Sequence, residues 1–188
     1  MAKSGIDIEG IKGKFALERK RALESGAVKS SVLEAQKEND RKIAEIRGLI
    51  LNRTAELEHQ LNLFISHYFT RDENAAMEFY DRLLTKEFFT FHQKIVLFGD
   101  IGYHNGKGFD GRFEGLTGEL HKVKEIRNLL AHGHKASADT PMIRTLTQKA
   151  PVRLDARFMS EFKAAFETAF FSLVELNNQL RKARTQSD

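Results

Sequence analysis

The sequence predicts an all-α fold, an antiparallel bundle of about five to six helices joined by short connections. Apolar residues recur at helical spacing along most of the chain. The chain has only 2 prolines, so long helices can run without interruption. Asn, Asp or Thr precedes several of these stretches, as expected at helix N-termini. The pattern also allows a short β-hairpin before the last helix.

The first predicted elements are a charged extension, a long helix and a shorter one. Residues 1–38 carry one marginal helix interrupted by a Gly/Ser break. Asn39 or Asp40 is suited to cap the long helix, whose Ile, Leu and Phe residues keep helical spacing to about Phe69. Asp72 is suited to cap the shorter helix that follows.

The middle of the chain predicts two helices separated by a glycine-rich loop. Thr85 or Thr90 can cap the apolar run of residues 88–97. Residues 99–115 contain six glycines and are expected to form a loop. A helix then spans roughly Leu116–His132.

The C-terminal part predicts a hairpin and a final helix. Met142–Thr147 and Val152–Leu154 can pair as two short strands. Asp155 can cap the last helix, which is rich in phenylalanine. We therefore divide the chain into the extension, a bundle over residues 39–182 and a disordered tail over 183–188.

Composition is that of an ordinary globular protein, with 41% hydrophobic and 30% charged residues. The absence of cysteine excludes disulfides, thiolate metal sites and cysteine nucleophiles. We expect a cytoplasmic protein that does not enter membranes, because the N-terminus lacks a signal-peptide core and no long apolar run occurs. The net charge of +4 is compatible with a nucleic-acid partner but does not require one.

The most informative segment is the run from Glu125 to Gly133 at the end of the predicted helix. Arg127 falls about 20° from the centre of an apolar stripe, where a permanently charged guanidinium must find a partner. Asn128 and His132 are one helical turn apart and share a polar face. Gly133 follows where a C-cap glycine is common.

Two interpretations of these residues remain open. In the structural one, Arg127 forms an ion pair with Glu58 on the long helix, and His132 is a cation stabilised by the helix dipole. In the functional one, a guanidinium binds phosphate oxygens and an imidazole exchanges protons. Those groups suffice for attack of an RNA 2′-hydroxyl on the adjacent phosphate without a metal.

The segment Arg127-Asn128-Leu-Leu-Ala-His132 resembles the R-x4–6-H motif of the HEPN superfamily, in which a polar residue typically follows the arginine. The motif ends a late helix of an all-helical bundle, and another long helix follows, as in that superfamily. The resemblance covers roughly residues 40–180. Many HEPN proteins are metal-independent ribonucleases that dimerise so that two motifs face one another, and many act as toxins or antiviral defence effectors. Others are non-catalytic modules that bind RNA or nucleotides.

The resemblance implies a homodimeric endoribonuclease with Arg127, Asn128 and His132 as catalytic residues and no cofactor. Glu58 and His134 are expected to support them. The residues expected to contact RNA are Lys107, Arg112 and Lys124. An antitoxin or regulatory protein is a further expected partner. One HEPN subgroup carries a tyrosine two residues after the motif histidine, and His134 occupies that position here.

Three functions are therefore open. The first is RNA cleavage, the second is binding of RNA or nucleotides without cleavage, and the third is a structural helical dimer. A metal pair formed by His132 and His134 is disfavoured because no carboxylate lies nearby in the sequence.

Overall fold

The computed structural model confirms an all-α bundle with a short β-hairpin before the last helix, to which a third strand adds. The residues that the structure describes are 16–17, 20, 30–70, 72–104, 112–138, 140–147 and 150–185. The α-helices, in chain order, are α1 (Ser30–Phe69), α2 (Glu73–Phe79), α3 (Phe91–His104), α4 (Arg112–His132) and α5 (Ala156–Thr185). A short π-helical segment (Tyr80–Leu84) continues α2. The strands are β1 (His134–Lys135), β2 (Met142–Arg144) and β3 (Val152–Arg153).

The core lies where α1, α3, α4 and α5 pack together. The apolar stripe predicted on α4 is buried, and Leu120, Val123 and Leu130 are fully enclosed. α1 and α5 supply most of the remaining aromatic and branched residues, including Phe64 and Leu173. The helical spacing of apolar residues therefore produces the bundle, because each stripe finds a neighbouring helix to cover it.

Three predicted helix starts are confirmed by cap hydrogen bonds. Asp72 Oδ1 accepts from Ala75 N at 2.8 Å. Asp155 Oδ1 accepts from the amide of residue 158 at 3.0 Å. Of the two threonines considered, Thr90 caps α3, and its amide donates to Gln93 Oε1 at 2.7 Å while the amide of Gln93 donates back to Oγ1 at 3.3 Å.

The predicted start of the long helix at Asn39 or Asp40 was wrong. α1 already runs from Ser30, so Asn39 lies within it and is buried. Its Nδ2 donates to the carbonyl oxygen of Ala138 at 2.9 Å, a residue beyond α4. The side chain therefore makes a tertiary contact in place of a local cap, which sequence alone does not distinguish.

The bundle also extends further at its C-terminal end than the sequence predicts. α5 continues to Thr185, so the first residues of the predicted disordered tail are helical. Residues 186–188 lie outside the described residues, as does most of the predicted N-terminal extension. The last helix is longer than predicted because no large apolar residue follows Leu180 to indicate its final turn.

The predicted loop over residues 99–115 is also shorter than expected. α3 continues to His104 and α4 begins at Arg112, so both ends of that segment are helical. Gly102 allows the close approach of these helices, since a Cβ there would lie 2.5 Å from the ring of Phe113. This glycine is a packing residue and not a helix breaker.

The small sheet is antiparallel with strand order β1–β2–β3. The predicted hairpin is present, with Ile143 opposite Val152, but each strand is shorter than expected. β1 was not predicted because two polar residues, His134 and Lys135, carry no strand pattern. It is fixed by pairing, with His134 opposite Arg144.

Candidate functional site

A polar cavity of about 520 Å³ lies between α1, α3 and α4, beside the segment that the sequence singled out. Two of its lining residues, Asn62 and Lys94, are buried polar side chains with 4% and 3% exposure. Its lining residues are Glu58, Asn62, Thr85, Lys86, Glu87, Phe89, Thr90, Phe91, His92, Lys94, Lys124, Arg127 and Asn128. Four of these side chains are lysine or arginine and two are glutamate, so the cavity has a net positive charge that can receive an anionic group.

Arg127 forms part of the cavity wall. It is half-buried on the stripe of α4, as predicted, and its Nη1 donates to Oδ1 of Asn128 at 3.0 Å. Within the described chain no carboxylate pairs with it. An amide oxygen satisfies one of the five N–H donors but does not neutralise the charge, so the guanidinium can still bind an anion.

The structure does not show the ion pair between Arg127 and Glu58 that the structural interpretation requires. Glu58 bonds instead to Lys94, whose ammonium group contacts Oε1. The lysine side chain is 3% exposed and the carboxylate side chain 30% exposed. Sequence analysis missed this pair because Lys94 lies inside an apolar run, where its charge gave no indication of burial. A buried ammonium needs such a partner, and the pairing removes Glu58 as the counterion of Arg127.

His132 lies apart from the cavity. It is exposed in the last turn of α4 and does not line the cavity wall. Five residues along a helix turn it by about 140° from Arg127. Asn128, which does line the cavity, precedes it by one turn, about 5–6 Å between Cβ atoms. The structure therefore brings Arg127 and Asn128 together and leaves the histidine at the helix end.

The end of α4 is held by a residue that sequence analysis did not identify. Arg47 of α1 donates from Nη2 to the carbonyl oxygen of Gly133 at 3.0 Å. A cation at a helix C-terminus satisfies a carbonyl that lacks an intrahelical partner and interacts favourably with the helix dipole. Arg47 thus fixes the position of the backbone next to His132.

Gly133 follows the helix as predicted, but for a different reason. Its amide still donates to the carbonyl oxygen of Leu129 at 2.8 Å, which continues the helical pattern. A Cβ on Gly133 would collide with the side chain of Ile143 in β2. The glycine is therefore needed for close packing of the sheet against the helix end.

The other predicted site residues lie at the cavity or beyond the end of α4, except for those that fall outside the described residues. Lys124 lines the cavity, and its Nζ lies 2.9 Å from Glu125 Oε1. His134 is exposed in β1, beyond the end of α4. Lys107 lies outside the described residues, and Arg112 is described only as the first residue of α4.

Two further histidines lie near Lys124. The rings of His92 and His121 are 5.7 Å apart between centroids, and His92 lines the cavity. Partial burial lowers the pKa of His121 from its usual value of 6.5, and the charges of Lys124 and His92 lower it further. Glu125 opposes this effect. The neutral form of His121 is therefore favoured next to the positive charge of the cavity.

Two histidines of α1 differ in their environment. His67 is 5% exposed, with Nε2 3.3 Å from Glu73 Oε2. His59 is exposed, with Nδ1 2.8 Å from the hydroxyl of Tyr80.

The described residues contain no cluster of three His, Cys, Asp or Glu side chains that could hold a metal ion. None of the described helices is both long and apolar enough to cross a membrane. No protein-family model matches the chain, and neither does any curated protein or solved structure. Functional inference therefore rests on the geometry of the site and on the motif itself.

Proposed function

We propose that the protein is a metal-independent endoribonuclease of the HEPN type, with Arg127 binding the reacting phosphate and His132 transferring protons. The observation that carries this proposal is the charge of Arg127. The Arg127 guanidinium lies on the wall of a polar cavity, and no carboxylate among the described residues pairs with it. The structural alternative required Glu58 as its partner, and Glu58 is bound to Lys94.

The reaction needs two proton transfers and a phosphate clamp. A neutral imidazole takes the proton from the RNA 2′-hydroxyl, whose oxygen forms a bond to the adjacent phosphorus. The bond from phosphorus to the 5′-oxygen breaks, and a protonated imidazole gives that oxygen its proton. Arg127 stabilises the negative charge on the non-bridging oxygens. The products are a 2′,3′-cyclic phosphate and a 5′-hydroxyl.

A second copy of the chain would complete this site. Arg127 and His132 point about 140° apart on one helix. Both can therefore reach one phosphate more easily when the arginine comes from one copy and the histidine from the other. A two-fold axis would supply two histidines, one as base and one as acid. α5 offers apolar surface for such contact, including Phe171 at 65% exposure. Light scattering at micromolar concentration should give the mass of a dimer, and a monomer would contradict the composite site.

Digestion of a generic RNA in chelator tests the activity. We expect cleavage to persist without divalent metal and to leave 2′,3′-cyclic phosphate ends. His132→Ala should abolish it, while His59→Ala, at an exposed histidine that does not line the cavity, should not. Obligate dependence on Mg²⁺, or exclusively 3′-hydroxyl products, would refute the mechanism. If the enzyme acts as a toxin or defence effector, expression of the wild type but not of His132→Ala should arrest growth.

A second candidate is a module that binds RNA or nucleotides without cleaving them. The position of His132 outside the cavity favours it, because one chain alone does not place an imidazole beside Arg127. RNA binding that is lost in Arg127→Ala but never accompanied by cleavage would support this candidate.

A further inference from the structure

The outer face of the three-stranded sheet carries two arginines and a histidine. Ile143 points inward and is fully buried, so the neighbouring strand residue Arg144 points outward. The register places His134 opposite Arg144, and Arg153 opposite the other outward residue of β2, Met142. All three basic residues are exposed, and together they define the outer sheet face.

These cations are not neutralised by nearby acids. Within the described chain neither Arg144 nor Arg153 has an ion pair or a side-chain hydrogen bond. Asp155, which lies two residues after Arg153, accepts the amide of Phe158 at the start of α5. The charge of the outer sheet face is therefore open to a ligand.

The inner side of the sheet is anchored to α1, which makes the outer face a fixed surface. Lys135 Nζ lies 2.6 Å from Asp40 Oδ1. Asn39 bonds the carbonyl oxygen of Ala138, and Arg47 bonds that of Gly133. These bonds to one helix hold β1 and its flanking residues in place, so the cations are presented without loop rearrangement.

We propose that the outer sheet face binds the phosphate backbone of a single RNA strand next to the cleavage site. This rests on the proposed function, because RNA is taken as the ligand. His134 is two residues after His132, so a strand that crosses the face continues directly to the motif. The three basic side chains span two strand spacings, roughly 10 Å, which is sufficient for consecutive phosphates.

The chemistry of the face favours phosphates over a protein partner. A stable protein interface buries about 800 Å² on each side and contains aromatic or apolar anchors. Here the apolar side chains are the half-buried Met142 and one fully exposed residue of the following turn, Leu146. Arginine, by contrast, forms charge-assisted hydrogen bonds to phosphate oxygens.

Salt-dependent binding tests the proposal with the full chain. A fluorescent RNA of about 20 nucleotides is titrated by anisotropy at several salt concentrations in a His132→Ala background, so that cleavage does not interfere. Removal of one cation that neutralises a phosphate of single-stranded RNA should reduce the slope of log K against log salt by about 0.7. We expect a reduction of about 0.7 for Arg144→Gln and about 1.4 for Arg144→Gln with Arg153→Gln.

The matched control removes two exposed arginines outside the sheet, Arg82→Gln with Arg181→Gln, of which Arg82 pairs with Glu78 at 2.7 Å. It causes the same change in net charge and should leave the slope nearly unchanged. Equal reductions in both double variants would mean that net charge and not the sheet governs binding. No measurable binding of RNA by the parent protein, or equally tight binding of polyglutamate, would also overturn the proposal.

The outcomes also separate this proposal from the proposed function. Cleavage by the wild type with an unchanged slope in the sheet variants would retain the enzyme and reject the sheet. A reduced slope in a protein that never cleaves would retain the sheet and reject the enzyme. Should the double variant unfold, Arg144→Gln alone provides the same comparison at half the expected change.

Discussion

The cavity beside Arg127 and the outer sheet face both concentrate positive charge, but they hold it in opposite ways. In the cavity Lys94 is almost completely buried and bound to Glu58, while Arg127 is half-buried and bonded to an amide. On the sheet Arg144 and Arg153 are exposed and unpaired within the described chain. The cavity lies beside α4, and the sheet lies just beyond its end.

This difference in burial and pairing distinguishes cations that stabilise the fold from cations that can bind a ligand. A buried charge must be compensated, and removal of its partner leaves the other charge in a poor environment. An exposed arginine costs little to replace, usually within about 0.5 kcal/mol of folding stability. Arg127 is intermediate, since it is positioned by the core but lacks a counterion among the described residues.

The largest expected effect is on catalysis at Arg127. Arg127→Lys should reduce kcat/KM for RNA by about 100-fold, because lysine cannot reproduce the planar fork that binds two phosphate oxygens. The melting temperature should hardly change, since no carboxylate is deprived of its partner. Activity and thermal melts of the same preparation check this. A large loss of stability with intact activity would show that Arg127 is structural.

The second largest effect is on stability at Lys94. Lys94→Met should destabilise the fold by about 2 kcal/mol, below the roughly 3–5 kcal/mol of fully buried pairs because Glu58 is partly hydrated. Adding Glu58→Gln should recover most of that loss, as the unpaired charge is removed. Chemical denaturation of the single and double variants measures both values. No recovery in the double variant would mean that packing, and not charge, causes the loss.

A comparable effect is expected where α4 meets the sheet. Gly133→Ala should cost about 1–3 kcal/mol, because the added methyl group collides with the side chain of Ile143 and with the carbonyl oxygen of Leu129. Gly118→Ala is the control within α4, where a Cβ meets nothing within 4 Å. It should stabilise the helix by up to about 1 kcal/mol. Denaturation midpoints that shift in the same direction for both variants would contradict the packing role of Gly133.

The smallest effect concerns pH at the cavity. The lowered pKa of His121 means that the unfolded chain binds more protons than the folded one as the pH falls through 6.5. The contribution of His121 to folding stability is therefore complete above pH 6.5 and declines as the pH falls toward the folded pKa. An NMR titration should place its midpoint below 6.5, and Lys124→Gln should raise it. A midpoint at or above 6.5 in the wild type would exclude both causes.

Much of the fold was predictable because it depends on local patterns. Helical spacing and the caps at Asp72, Thr90 and Asp155 determine where helices lie, and the structure confirms them. The failures involve tertiary contacts. Asn39 suggested a helix start, although its side chain bonds Ala138, 99 positions away. The glycines of α3 suggested a loop, although Gly102 serves packing against a phenylalanine of α4.

The candidate site was predictable to a lesser degree for the same reason. The position of Arg127 on the α4 stripe followed from helix geometry. The pairing of Glu58 with Lys94 did not, because it depends on how α1 packs against α3, which the sequence does not show. Arg47 gave no local signal either, because its role depends on the carbonyl of Gly133, 86 positions away.

Helix α4 contacts both regions, and its rigidity sets a distance between them. Arg127 lines the cavity, whereas Gly133 follows the helix and packs against Ile143 of the sheet. The step from Arg127 to Gly133 corresponds to about 9 Å along the helix axis. At roughly 3.4 Å per stacked nucleotide, a strand of about three nucleotides is long enough to reach both. Oligonucleotides shorter than that can occupy one region at a time, so affinity should rise at this length.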